Sequence, residues 1–216
     1  MAERVKTRRY DSARRRQQAA ATRREILQAA QRLFEGQGYA ATTMAAIAAE
    51  AGVALKTVYV AFETKSGVLR ALWHLLLRGD EEDAPVGERS WYRELLAERD
   101  PERQLRMTAR TSRIVKQRAG ALLVVIRDAA PADLDIAALW SRIQSDFYDN
   151  QREIVKALHA KGALRSGLGV ARAADILWSL NHPDLWHLLV GERGWAPKRY
   201  EQWHGDTICA QLLDSA

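Results

Sequence analysis

The segment from Thr42 to Leu69, TTMAAIAAEAGVALKTVYVAFETKSGVL, constrains this chain more than any other. Its spacing predicts two short helices hinged at Ala51-Gly52-Val53, followed by a third that begins near Lys65. Thr42 and Thr43 can cap the first helix through a hydroxyl oxygen, and Met44, Ile47, Ala48 and Ala51 then share one face at i, i+3, i+4, i+7 spacing. Gly52 supplies a sharp turn without a Cβ clash. The second helix, about Ala54 to Phe62, buries Val58 and Phe62 as an i, i+4 pair and leaves Lys56, Thr57, Tyr59, Val60 and Ala61 outside the core. This is the layout of a helix-turn-helix, a module that sets its second helix in the DNA major groove.

The order Thr43, Met44, Ile47-Ala48, Ala51-Gly52-Val53, Thr57-Val58-Tyr59, Phe62, Lys65 and Leu69 resembles the amino-terminal domain of the TetR family of bacterial transcription regulators. The resemblance extends back through Ile26, Leu27, Ala30, Leu33 and Phe34 to Gly36-Gln37-Gly38-Tyr39. It implies that Thr43, Thr57, Tyr59 and Lys65 hold the DNA backbone, contacts that fix register without reading sequence. Lys56 is the candidate for a base edge, since a lysine can donate to guanine O6 and N7; a solvated or phosphate-bound lysine is the alternative. A core position is the alternative for Tyr59. The full set predicted to face DNA is Thr42, Thr43, Leu55, Lys56, Thr57, Tyr59, Val60 and Lys65, with Arg14, Arg15 and Arg16 from the amino-terminal arm.

Three positions depart from the family pattern. Ala54 stands where a capping Ser or Thr is usual, Val60-Ala61 replaces an aromatic-His pair, and Gly67 replaces a Glu at a helix cost of roughly 1 kcal/mol relative to Ala. Small apolar groups at 60 and 61 suit a thymine methyl better than a phosphate.

Charge is unevenly placed. The net charge of +6 divides into +7 over residues 1 to 80 and −1 over the remainder. Arg4, Lys6, Arg8, Arg9, Arg14, Arg15, Arg16, Arg23, Arg24 and Arg32 crowd the first 32 residues, so the start of the chain reads either as a phosphate-seeking basic arm or as a solubilising tail. With 216 residues, 47% of them hydrophobic, a large helical core can be filled. Runs such as Ala119 to Ile126 are too short to span a bilayer and no secretory leader is visible, so a cytoplasmic protein without a membrane partner is expected. The single cysteine, Cys209, fits a reducing compartment and reads as a small apolar residue of the last helix.

Beyond the helix-turn-helix the pattern is all-α. Three regions are expected: a basic arm over 1–20, the DNA-binding domain over 21–64 and a larger helical domain over 65–216. Gly79 to Ser90 reads as a loop. Asp100-Pro101-Glu102 signals a helix start, with a break near Gly120 and a close at Ala130-Pro131. A long helix from about Asp133 ends at Gly162; another runs from about Val170 to Leu180, a short one follows Pro183, and Pro197 opens the last. Asp175 to Trp178, Pro183, Trp186, Leu188 to Val190, Glu192 to Trp195, Pro197, Tyr200 and Trp203 also resemble the larger TetR-family domain. That implies effector binding in a helical cavity and a homodimer formed through the last helices. Candidate effector contacts are Met107, Trp140, Phe147, Tyr148 and Trp178, with His182 and Asn181 as polar groups if they point inward; plain core packing is the alternative for the aromatics.

Enzymatic readings find no support in motifs. A GxSxG elbow, a P-loop and a zinc-binding HExxH are absent, and Gly167-Leu168-Gly169 is not a dinucleotide fingerprint. No catalytic residue, cofactor or metal ligand is predicted, and the five histidines read as structural residues with their hydrogen bonds satisfied. Two functions remain: a dimeric regulator that binds double-stranded DNA and answers to a small-molecule effector, or a protein of the same fold that binds small molecules and has lost DNA recognition.

Overall fold

A computed structural model describes residues 3–78, 86 and 89–214, with side chains described from residue 14 onward. Among the described residues there is no strand, and the chain divides into two compact units, Met1–His74 and Leu75–Ala216.

The first unit holds α1 (Glu3–Ala41), α2 (Met44–Glu50), α3 (Leu55–Phe62) and most of α4 (Lys65–Arg78). The boundary expected at 64/65 falls at the start of α4, whereas the units divide inside it. The reason is the apolar face of α4: Val68, Leu69, Leu72 and Trp73 are buried and fall within the first unit. Helix α1 carries the second difference. The stretch 1–20, read as an arm, is helical from Glu3, and only Gly38 departs from helical geometry, at φ 79° and ψ 171°. Ala, Gln, Arg and Glu dominate residues 12–32 without Gly or Pro, and these are strong helix formers. Ile26 is the first buried side chain among the described residues, so α1 extends roughly 35 Å ahead of it at 1.5 Å per residue.

The second unit contains α5 (Ser90–Ala97), α6 (Pro101–Ala129), a 3-10 turn (Ala130–Ala132), α7 (Leu134–Ala160), α8 (Val170–Leu180), α9 (Pro183–Trp186), a π-helical segment (His187–Glu192) and α10 (Pro197–Leu212). Helix α6 packs on α10 and α7, and α8 on α7 and α10. Starts lie where their signals are. Asp100 accepts from the amides of Glu102 and Arg103, and Asp133 from those of Asp135 and Ile136, which satisfies donors that have no partner inside the helix.

The break expected near Gly120 does not occur. Helix α6 runs through it, and a Cβ there would come within 3.2 Å of Trp186 Nε1. The glycine admits an indole instead of ending a helix. Helix α5 was not foreseen; Tyr92 and Leu95 anchor it in a core with Leu105, Ile154, Leu158, Leu177 and Ile208. Among the described residues no single helix is long and apolar enough to cross a membrane.

Candidate nucleic-acid interface and the core of the second unit

Thr43 is the N-cap of α2, its hydroxyl oxygen accepting from the Ala46 amide at 3.0 Å. The other end closes with two paired contacts: the Gly52 amide donates to Ala49 O and the Val53 amide to Ala48 O, with Gly52 at φ 67°. This Schellman arrangement needs a left-handed residue after the helix, which glycine adopts without strain. The chain then bends by 113° into α3, within the range of about 90–120° for a helix-turn-helix.

Helix α3 turns Val58 and Phe62 into the core. Leu55, Lys56, Thr57, Tyr59 and Val60 are exposed, Val60 at 77%. A valine so open, beside a tyrosine and a leucine also exposed, forms an apolar strip that water does not favour. Tyr59 is therefore not a core residue. Ala54 begins the helix with no side-chain cap.

The frame behind α3 is tied at several points. Arg23 donates to Ala61 O at 2.8 Å and lies over the Phe62 ring, and Arg32 pairs with Glu50 at 2.8 Å. These two arginines of the basic stretch thus serve the domain's own packing. Arg14, Arg15 and Arg16 lie exposed on α1. At the exit of α3, Glu63 is held at φ 63° and ψ −50°, and the Thr64 amide reaches Phe62 O at 2.6 Å. That is a γ-turn in a strained region for a residue with a side chain. Thr64 then caps α4 by accepting from the Gly67 amide at 2.9 Å. A Cβ at Gly67 would sit 2.2 Å from Phe62 O, so the residue that departs from the family pattern is required by this joint.

Two of the residues expected on DNA are occupied elsewhere. Thr42 is fully buried and donates its hydroxyl to Gly38 O at 2.8 Å; it neither caps α2 nor reaches the surface, because it closes the turn after α1. Lys65 is half-buried, donates to Tyr39 O at 2.7 Å and lies over the Tyr39 ring.

Residues 26–72 match the family model described as bacterial regulatory proteins, tetR family. The amino-terminal unit is a TetR-family domain. Solved structures of similar fold extend the likeness beyond it. SmeT, in complex with triclosan, is 23% identical with a TM-score of 0.70, covering 91% of this chain and 93% of its own; SmeT is the repressor of the Stenotrophomonas maltophilia multidrug efflux pump SmeDEF. NalD, the secondary repressor of the MexAB-OprM multidrug efflux pump in Pseudomonas aeruginosa, is 19% identical with a TM-score of 0.68, covering 91% of this chain and 99% of its own. A TetR transcription regulator from Haloarcula marismortui is 17% identical with a TM-score of 0.66, covering 90% of this chain and 100% of its own. No curated protein matches the chain.

In the second unit, the residues expected to contact an effector do not converge on one space. Met107 and Tyr148 pack against the apolar core, and the Tyr148 hydroxyl donates to Asp175 at 3.0 Å. Trp178 and His182 meet edge to face at 5.1 Å. The His182 ring is turned to α9, where Nδ1 accepts from the Asp184 amide at 3.3 Å. Trp140 and Phe147 are half-buried on α7, outside that core. An open groove of about 370 Å³ along α8 and α10, lined by Arg172, Asp175, Ile176, Ser179, Leu180, Thr207 and Gln211, contains none of the six.

What the core does bring together is polar. Lys116 is 5% exposed and donates to Asn181 Oδ1 at 3.0 Å and to the Tyr200 hydroxyl at 2.9 Å. Asn181 Oδ1 also accepts from Ser112, and its amide donates to Gln151 at 3.1 Å. Burial pushes the Lys116 ammonium down to about 7 and raises the Tyr200 phenol. His204, stacked on Tyr200, is fully buried, and neither ring nitrogen has a hydrogen-bond partner. Burial and then Lys116 hold it down to about 3. The expectation of satisfied histidines thus fails at His204, which lies against the Tyr200 ring. Lys116 was also missed, though a signal exists. Leu105, Ser112, Ala119 and Ile126, with Ala109 and Leu123, are buried at seven-residue spacing on α6, and Lys116 occupies a position on that same stripe.

Proposed function

We propose that this protein is a ligand-responsive transcription regulator, most simply a repressor, that binds a palindromic operator as a homodimer through α3. The single observation that carries the reading is the exposed strip Leu55, Lys56, Thr57, Tyr59 and Val60, on a helix whose opposite face is locked by Val58 and Phe62. A helix so presented at the angle of a helix-turn-helix offers a cation and methyl groups to base edges. Thr43, Thr57 and Tyr59 would hold phosphates beside it. The helical run carrying Arg14, Arg15 and Arg16 would add sequence-independent attraction. In the proposed division of labour, 1–20 attract DNA, 21–64 read it, and 65–216 bind the effector and the second subunit. Such work lies in the cytoplasm.

The efflux-pump repressors of similar fold support an effector that is a small molecule. An effector shifts the balance between DNA-binding states only if it binds them unequally, and α4, continuous from the first unit into the second, is the element through which the difference would pass. A gel shift of the full chain against its own upstream DNA tests the reading. Selective binding at moderate salt, weakening steeply as salt rises, is expected; equal affinity for upstream and unrelated DNA contradicts it.

A further inference from the structure

We propose that the polar cluster around Lys116 is a binding site for a small organic carboxylate carried on an apolar body, and that this is the chemical class of the effector. The proposal rests on reading the second unit as an effector domain.

Charge pairing around α6 supports it. Arg106 pairs with Glu102 and Asp206, Arg113 with Glu201, and Arg127 with Asp128 and Asp184. The acids that α9 and α10 direct toward α6 are thereby matched by arginines. Among the described residues Lys116 has no carboxylate partner; its contacts are the neutral Asn181 and Tyr200. A buried cation without a counter-charge is costly to keep in a core, and methionine or leucine would fill the same space.

Donors also outnumber acceptors. Asn181 Oδ1 already accepts from Ser112 and Lys116. An ammonium has three donors, and two of those on Lys116 are placed. The Trp178 indole N–H, one turn before Asn181 on α8, has no partner, and neutral His204 leaves one N–H and one acceptor nitrogen unpaired. A site with surplus N–H groups and a cation lacks what a carboxylate brings, two oxygens and one negative charge.

The surroundings suit the rest of such a molecule. Trp186 and Trp203 flank the Tyr200 ring at 5.0 and 5.7 Å, and Ile208, one turn beyond His204, joins the apolar core. The outer wall is Pro183 to Glu192, which contributes no buried residue and includes the π-helical segment. Segments of this kind concentrate at functional sites, and this wall, all of it at least partly exposed, holds to the core through Trp186 against Gly120 and Tyr200 and through the Asp184–Arg127 pair.

Titratable groups facing Lys116 are Tyr200 and His204 from α10 and His182 before α9, with Asp184 and Arg127 acting on His182. Because burial leaves part of the Lys116 population uncharged near pH 7, a bound anion draws a proton in. Neutral ligands would not.

The test is isothermal titration of the full chain with benzoate, phenylacetate and octanoate, each beside its own carboxamide, in two buffers of different ionisation enthalpy. At least one carboxylate should bind with proton uptake and exceed its amide. Lys116→Met should weaken that binding about 30-fold or more, as expected for truncating one side of a buried charge pair. Tyr200→Phe should weaken it less, and serves in its place if the methionine variant does not fold. Equal affinity for acid and amide, no binding of any carboxylate, or unchanged binding by both variants overturns the site. DNA binding is followed in the same preparations. Selective DNA binding without carboxylate preference sinks the anion site and spares the regulator reading; carboxylate binding without DNA binding does the reverse.

Discussion

Lys56 and Lys116 are the same residue in opposite surroundings, and the contrast separates the two units. Lys56 stands exposed on α3, where solvent keeps its charge inexpensive and free to meet a phosphate or a guanine. Lys116 is held in the core of the second unit by two neutral groups. The first unit puts its chemistry outside and uses its core only as a frame; the second puts chemistry inside the frame. An outside charge costs the fold almost nothing and says little by its presence. An inside charge costs stability and therefore says more.

The frame of the first unit is most exposed to attack at the α3–α4 joint. Gly67→Ala should gain about 1 kcal/mol from helix propensity alone, but the contact with Phe62 O predicts a net loss of about 3 kcal/mol, as for severe overpacking. Urea denaturation decides the sign. Lys116→Met probes the other side of the contrast. The folded-state pKa of Lys116, about 7, lies below the ordinary 10.5, so between these values the unfolded chain holds a proton that the folded chain lacks. Native stability from this group therefore rises with pH across that window. At pH 7 the variant should exceed the parent by roughly 2 kcal/mol after the stranded Asn181 and Tyr200 groups are allowed for, and the gap should narrow toward pH 10. Thermal melts at several pH values follow it; a gap that does not change with pH contradicts a buried, proton-poor lysine.

Lys56→Ala should leave stability unchanged and weaken operator binding by about 1–3 kcal/mol with relaxed preference at one base pair if it reads a base, or weaken all sequences alike if it meets a phosphate. Fluorescence anisotropy on operator and mutated operators separates the two. Thr43→Ala should cost about 1 kcal/mol of stability by removing the α2 cap. A smaller loss would mean that the hydroxyl serves DNA more than the helix.

Much of the first unit is legible because its devices are local. Thr43, Gly52, Val58 and Phe62 announce a cap, a turn and an i, i+4 pair within twenty residues. Where the sequence misleads, the deciding partner is distant or is backbone. Gly120 reads as a helix breaker until Trp186 is seen against it, and Gly67 as a loss until Phe62 O is placed. Thr42 looks like a second cap, but its hydroxyl turns back to Gly38. In the second unit the aromatics suggest a pocket because a small-molecule site is mostly apolar, and large apolar residues at helical spacing stand out in a sequence. The polar members of the α6 stripe, Ser112 and Lys116, do not stand out in that way; Asn181 lies 69 residues from Ser112, and Asn181 and Tyr200 lie 65 and 84 residues from Lys116.

The most direct measurement is a hydroxyl-radical footprint of the full chain on its upstream DNA. Two protected patches of equal size, centred one helical turn or a multiple of it apart on a palindrome, are predicted, and Lys56→Ala should erode both. Uniform protection without patches, or protection unaffected by replacing Lys56, Thr57 and Tyr59 together, would contradict the assignment of α3 as the reading helix.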